Sequence, residues 1–276
     1  MTVETTVRAP RLRTLGKALR IPTILLALAG LSAGSYLPEV STASADPAPA
    51  PANVAEAPAA VHAAVPAITS PATALLANGA DGLSPKVLAM ALDAMACART
   101  RGVAAREDLL TVIDYSLPST EPRLWVLDLR RGEVLYHELV AHGRGTGDNY
   151  ATRFSNLNDS HQTSLGLFVT GGTYTGGNGY SLTLKGLDKG FNDRAEERHI
   201  VMHGAWYVSP EQARTQGRLG RSWGCPALSE KMAPKVIDTI KGGSFVFSYG
   251  GDQDWLQSAS SNACGGASVA TTTAAL

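Results

Sequence analysis

Between residues 109 and 249 short apolar segments follow one another, each closed by glycine or polar residues. LLTVIDY, RLWVLDL and VLYHELVAHG come first, and RRGE between the last two has the composition of a hairpin turn. SLGLFVTGGTYT, YSLTLKGL, RHIVMHGAWYV and SFVFSY continue the series. Segments this short, rich in β-branched and aromatic side chains, fit strands better than helices. Helical spacing stands out twice. In SPKVLAMALDAMACARTRG, Ser84 suits a cap and Pro85 the first turn. Val87, Leu88, Ala91, Leu92 and Met95 share one face and Gly102 stops the run, which predicts a helix over 84–101. SEKMAPKVIDTIKGG predicts a second, short helix. The fold class is therefore α+β and β-rich, a sandwich or barrel with a few packed helices, one of them N-terminal.

The flanks cannot join such a core. Residues 46–81 are dominated by alanine and proline and lack aromatics, so they are read as a semi-extended linker, with His62 solvated in it. Residues 256–276 are small and polar and are read as a disordered tail. The compact part is then 82–255 of the 276 residues. Residues 1–45 begin with Arg8, Arg11, Arg13, Lys17 and Arg20 against Glu4, continue as IPTILLALAGLSAG and end in small residues at Ala45. That is the layout of a signal peptide, with an uncleaved N-terminal membrane anchor as the alternative. Either way the remainder is exported, to the periplasm or cell envelope. The formal net charge is zero, so there is no electrostatic case for a nucleic-acid partner. Contact with a membrane is expected only through the N-terminal segment, and the chain is taken as a monomer.

One cysteine sits in a tight polar turn, RSWGCPALS. Of Cys97, Cys225 and Cys264, the odd count leaves at least one thiol unpaired. Pairing of Cys97 with Cys264 would leave Cys225 free. A free thiol that acts as nucleophile needs a base, positive potential and donors for an oxyanion. Gly224 allows a sharp turn, so that N–H groups around 223–225 face a carbonyl oxygen. Arg218 and Arg221 bring positive charge and a means of holding a carboxylate, and the thiol is expected to ionise below the pH of an ordinary cysteine. Among six histidines, His203 is chosen as base, because it ends the apolar segment HIVMHG where a strand meets a loop. The alternative for His203 is a satisfied buried histidine. His137 reads as structural, and His142 and His161 flank a glycine-rich loop with nothing specific to support them. His199 and His203 have helical chelate spacing, but on a strand they would lie about 13 Å apart. No metal site is expected.

The ordered set RLWVLDLRRGEVLYHELVAHG, SNLNDSHQTSLGLFVTGGTYTG, SLTLKGLDKGFNDRAEERHIVMHG and GRLGRSWGCPAL resembles the YkuD-like L,D-transpeptidase family, in its murein L,D-transpeptidase catalytic-domain-like branch. The resemblance implies a YkuD-like mixed β-sheet fold and action on peptidoglycan stem peptides, without cofactor. It implies that Cys225 attacks the stem tetrapeptide, forms a thioester and passes it to an amine. His203 would move the proton, and Ser222, Gly224 and Gly204 would shape the site. Trp223, Arg218, Arg221 and Tyr174 are candidate substrate contacts. Many members carry histidine where Trp223 stands and arginine where Ala227 stands, so Arg218 or Arg221 is expected to take over carboxylate binding. An L,D-carboxypeptidase using the same Cys–His site, or a wall-binding module without catalysis, are the alternatives.

Overall fold

The computed structural model describes residues 71–78 and 80–262. The expected signal or anchor segment, His62 and Cys264 lie outside them. Two helices, α1 (Pro71–Ala77) and α2 (Pro85–Thr100), precede the sheet. The strands are β1 (Leu109–Asp114), β2 (Leu124–Asp128), β3 (Glu133–Glu138), β4 (Gly166–Gly176), β5 (Gly179–Gly186), β6 (Val201–Gly204), β7 (Ala227–Leu228) and β8 (Phe245–Tyr249). Helix α3 (Pro210–Gln216) joins β6 to β7, α4 (Ala233–Ile240) joins β7 to β8, and α5 (Gln253–Asn262) follows.

All eight strands form one mixed sheet in the order β3-β2-β1-β8-β4-β5-β6-β7. β1 lies parallel to β8, and β6 parallel to β7. The β1 strand is buried at every position, because both of its faces are covered. The chain after β3 then reaches the far edge of the sheet. Ala141 exchanges both backbone bonds with Ala227 of β7, at 2.8 and 3.3 Å, and Gly143 bridges to Ser222. The two sheet edges are thereby joined, and the sheet becomes a nearly closed barrel with a few helices, as the YkuD-like fold class requires.

Local chemistry accounts for the elements. The β2–β3 turn is held by the Asp128 carboxylate, which accepts from the N–H groups of Arg130 and Arg131. Helix α2 buries Val87, Leu88, Ala91, Met95 and Ala98, close to the face expected, with Leu92 partly buried. Helix α4 buries Val236, Ile237 and Ile240.

The boundaries differ from expectation at both ends. Helix α1 lies inside the stretch read as linker, and its Leu75 is fully buried against the core. Helix α5 runs into the stretch read as tail; Asp252 caps it by accepting from Trp255 N–H, and the Trp255 side chain is buried. The segment expected as one strand over RHIVMHGAWYV is a strand only at Val201–Gly204, since His199 adopts a left-handed φ of 54° just before it. Among the described residues no helix is long and apolar enough to cross a membrane.

Candidate active site

Cys225 is a free, buried thiol, and Cys97 is disulfide-bonded. The sulfur rests on the backbone that leads into β6. Val201 N–H donates to Sγ at 3.5 Å, and Sγ lies 3.8 Å from the His199 carbonyl oxygen. His203 is in the same strand as Val201 and on the same face, two residues on. It pairs with Ala227, and its N–H reaches the Pro226 carbonyl at 3.4 Å. The expected base is therefore on β6, and the expected nucleophile is in the turn that leads into the neighbouring β7.

The turn before Cys225 is fixed by Ser222. Its hydroxyl donates to the Cys225 carbonyl at 2.6 Å and accepts from Gly224 N–H at 3.1 Å. The Gly224 N–H, one of the three main-chain donors expected to face an oxyanion, is therefore already engaged. Gly224 has φ 121°, and a Cβ there would lie 2.9 Å from the Gln162 carbonyl oxygen. Only glycine fits that conformation without strain.

The His203 ring fixes its own tautomer. Nδ1 lies 2.9 Å from the Gly204 carbonyl oxygen, which can only accept, so the proton sits on Nδ1 and Nε2 keeps its lone pair. Burial holds the His203 pKa below that of free histidine. Gly204, a candidate substrate contact, instead packs at β6 against Glu230 and Ala233, where a Cβ would come within 3.2 Å. What it gives the site is the carbonyl that orients His203.

Burial also pushes the Cys225 thiol up, against smaller opposing effects from Val201 N–H and the Arg198 guanidinium. This runs against the expectation of a thiol ionised at low pH: burial favours the neutral form of both Cys225 and His203. Since only thiolate alkylates, the iodoacetamide reaction of Cys225 should rise with pH through a midpoint above the ~8.5 of free cysteine. A midpoint near 7 in a pH series followed by mass would contradict it.

Several side chains that the sequence did not single out build the surroundings. Arg198 donates to Ser155 O, Gln162 O and the hydroxyls of Ser160 and Ser164. It staples the 155–164 loop beside the nucleophile turn. Arg123 is fully buried and donates to Leu117 O, Val140 O and His142 Nδ1. Burial lowers its pKa only to about 10, so it remains a cation at neutral pH. His142 therefore accepts at Nδ1 and donates from Nε2 to Gly147 O, and burial lowers its pKa to about 4. The His142 carbonyl accepts the Ser222 N–H at 3.0 Å, so this buried network carries the backbone that holds the cysteine turn. Arg123 immediately precedes β2 and His142 comes after β3, positions where sequence alone suggests surface or loop.

The remaining candidates are dispersed. Arg221 donates to Asp148 Oδ1 at 2.8 Å and to Gly147 O, and Arg218 lies 4.0 Å from the same carboxylate. Tyr174 is 45% exposed; it pairs with Ser181, which pairs in turn with His203, so Tyr174 lies two strands from the histidine. Trp223 is 67% exposed at the turn itself. His137 stacks on Trp125 with ring centroids 4.6 Å apart, as a structural residue would. Among the described residues no group of three His, Cys, Asp or Glu is placed to hold a metal ion.

A free cysteine on a glycine turn thus lies along a strand that carries a tautomer-locked histidine, at the seam of a nearly closed sheet. The description of the L,D-transpeptidase catalytic domain matches residues 79–249, and the chain belongs to that family. Solved structures similar to it include an L,D-transpeptidase from Mycobacterium smegmatis, at 16% identity over 52% of this chain and 59% of that one, with a TM-score of 0.32. A helical cell shape determining protein from Campylobacter jejuni matches at 14% identity over 63% of this chain and 61% of that one, TM-score 0.35. An L,D-transpeptidase from Stackebrandtia nassauensis matches at 15% identity over 58% and 66%, TM-score 0.32. This chain spans about three fifths of the length of the first of these solved chains. No curated protein matches.

Proposed function

We propose that the protein is a peptidoglycan L,D-transpeptidase of the cell envelope, with Cys225 as nucleophile and His203 as base. The observation that carries this is the His203 tautomer: Nδ1–H is committed to Gly204 O, which leaves Nε2 as the one basic atom of the ring. The supporting frame is family membership over 79–249.

The first half-reaction starts from the neutral pair. Sγ attacks the carbonyl carbon at the L-centre of the diamino acid in a stem tetrapeptide as Nε2 takes the thiol proton. A C–S bond forms and the carbonyl oxygen becomes an oxyanion, met by the main-chain N–H groups of Trp223 and Cys225. Collapse breaks the C–N bond, Nε2–H protonates the departing amine, and D-alanine leaves a thioester on Cys225. An amine from a second stem then attacks the thioester. Nε2 takes its proton and returns it to sulfur as the C–S bond breaks. Water in place of the amine gives the carboxypeptidase outcome. Ser222 and Gly224 hold the turn, and in this reading Trp223 forms a wall for the peptide near the sulfur and Tyr174 one farther along the sheet.

Two neutral groups that exchange one proton only during attack suit a buried site, because no isolated charge has to be desolvated beforehand. Incubation with purified tetrapeptide muropeptide, followed by mass analysis of the products, tests the proposal. A crosslinked dimer is expected. A tripeptide without dimer would indicate hydrolysis, and an unchanged stem would contradict enzymatic function.

A further inference from the structure

Next to the cysteine turn the structure assembles three side chains from two separate loops. Arg144 is joined to the turn by its backbone, N–H to Ser222 O at 2.8 Å. Its guanidinium lies over the Trp223 ring, 5.4 Å from the centroid, and its Nε and Nη2 reach His161 Nδ1 at 3.2 and 3.0 Å. The His161 and Trp223 rings meet at 5.0 Å.

His161 is placed there under constraint. It adopts a φ of 52°, uncommon for a residue with a side chain, and its carbonyl oxygen occupies the space where a Cβ on Gly143 would sit, at 2.4 Å.

The hydrogen-bonding inventory of this trio is one-sided. Guanidinium N–H groups can only donate, so His161 Nδ1 accepts and the ring proton is on Nε2. Each polar group left over is then a donor: the remaining guanidinium N–H groups, His161 Nε2–H and Trp223 Nε1–H. Among the described residues none of these has a partner, and no carboxylate pairs with Arg144. Arg218 and Arg221, by contrast, both face Asp148. A cluster of donors with a delocalised cation, supported on an aromatic face, is complementary to a planar anion with two acceptor oxygens.

We infer that Arg144, with His161 and Trp223, forms the subsite for the terminal carboxylate of the donor peptide, the carboxylate borne by the residue that leaves. It rests on the acyl-transfer function proposed above. The leaving residue's carboxylate is one residue from the scissile carbonyl, and the subsite sits on the cysteine turn itself, through Trp223 and the Arg144 backbone bond to Ser222 O. Carboxylate recognition thereby moves from Arg218 or Arg221, where the sequence placed it, to Arg144.

The test compares tetrapeptide with a free C-terminus, the same peptide amidated at the C-terminus, and a third amidated only at its branch carboxylate. Affinity is measured by calorimetry on Cys225→Ala protein, so that the readout needs no turnover, and KM and kcat are measured on protein with Cys225 intact. Arg144→Gln should weaken binding of the C-terminal acid roughly tenfold and raise its KM alike, with kcat little changed. It should leave the C-terminal amide unaffected, and Arg221→Gln should keep the unchanged protein's preference for acid over amide. Equal losses for acid and amide in Arg144→Gln, or discrimination lost in Arg221→Gln instead, would overturn the assignment. A dependence on the branch carboxylate alone would also overturn it. If the protein turns over none of the peptides while the calorimetric acid preference still depends on Arg144, the transpeptidase function fails and the carboxylate subsite stands.

Discussion

Cys225→Ala should abolish turnover of muropeptides, with a loss of about 10⁴-fold or more, while the protein stays folded. The chemistry runs through a covalent bond to this sulfur, and no other free cysteine is found among the described residues. The structural cost is small. Alanine keeps the Cβ and gives up one weak bond, from Val201 N–H at 3.5 Å, and a small buried volume. That is on the order of 1 kcal/mol. The Ser222 hydroxyl contacts to Cys225 O and Gly224 N–H involve only backbone at those two positions and survive the change. Steady-state assay beside thermal unfolding checks both halves. Activity within about tenfold of the unchanged protein would mean that another group carries the reaction.

Gly143→Ala should be the most damaging change that leaves all the proposed catalytic side chains in place. Gly143 bridges to Ser222 and packs directly against the cysteine turn. A Cβ there would lie 2.4 Å from His161 O, 2.8 Å from Gly224 Cα and 2.9 Å from Gly224 N. All three obstacles are backbone, so no rotamer change relieves them, and the turn or the His161 loop has to move. The expected cost is about 3 kcal/mol or more, a fall in Tm of roughly 10 °C. Displacing the nucleophile by even about 1 Å should cut kcat/KM at least about 100-fold. Gly172→Ala is the control. It sits in β4 without a left-handed φ, and a Cβ meets nothing within 4 Å, so stability should change by no more than about 0.5 kcal/mol. A Gly143→Ala protein with full stability and activity would show that the turn is not held from this side.

The strands were legible because each apolar run in 109–249 has its own turn chemistry, as at Asp128 and Gly132 between β2 and β3. Closure of the sheet was not. It depends on Ala141 and Gly143, small residues that meet β7 and Ser222 from the opposite edge, and no local pattern encodes a pairing between segments so far apart. Helix α3 carried readable signals: Ser209 caps it by accepting from Gln212 N–H, Pro210 starts it and Gly217 ends it at φ 66°. Helices α1 and α5 were obscured by alanine and serine content, although Leu75 and Trp255 anchor them in the core.

For the site, Cys225, His203 and Ser222 could be read because a thiol, a glycine turn and a strand-end histidine have few other uses together. Arg144, His161, Arg198, Arg123 and His142 could not. Their meaning lies in which backbone carbonyls and rings they reach, and residues with the same composition elsewhere on a surface would be solvated. The pKa direction of Cys225 is hidden from the sequence for the same reason. Nearby arginines suggested a stabilised thiolate, but Arg218 and Arg221 are directed to Asp148, and burial outweighs what Arg198 contributes.

Intact-protein mass spectrometry after rapid quenching of the enzyme with a stem tetrapeptide examines the proposed thioester itself. The expected result is an adduct equal in mass to the tetrapeptide less one molecule of D-alanine, mapped to Cys225, labile to hydroxylamine and absent from Cys225→Ala. An unmodified Cys225 in enzyme that is turning over substrate, or an adduct on any other residue, would contradict the mechanism.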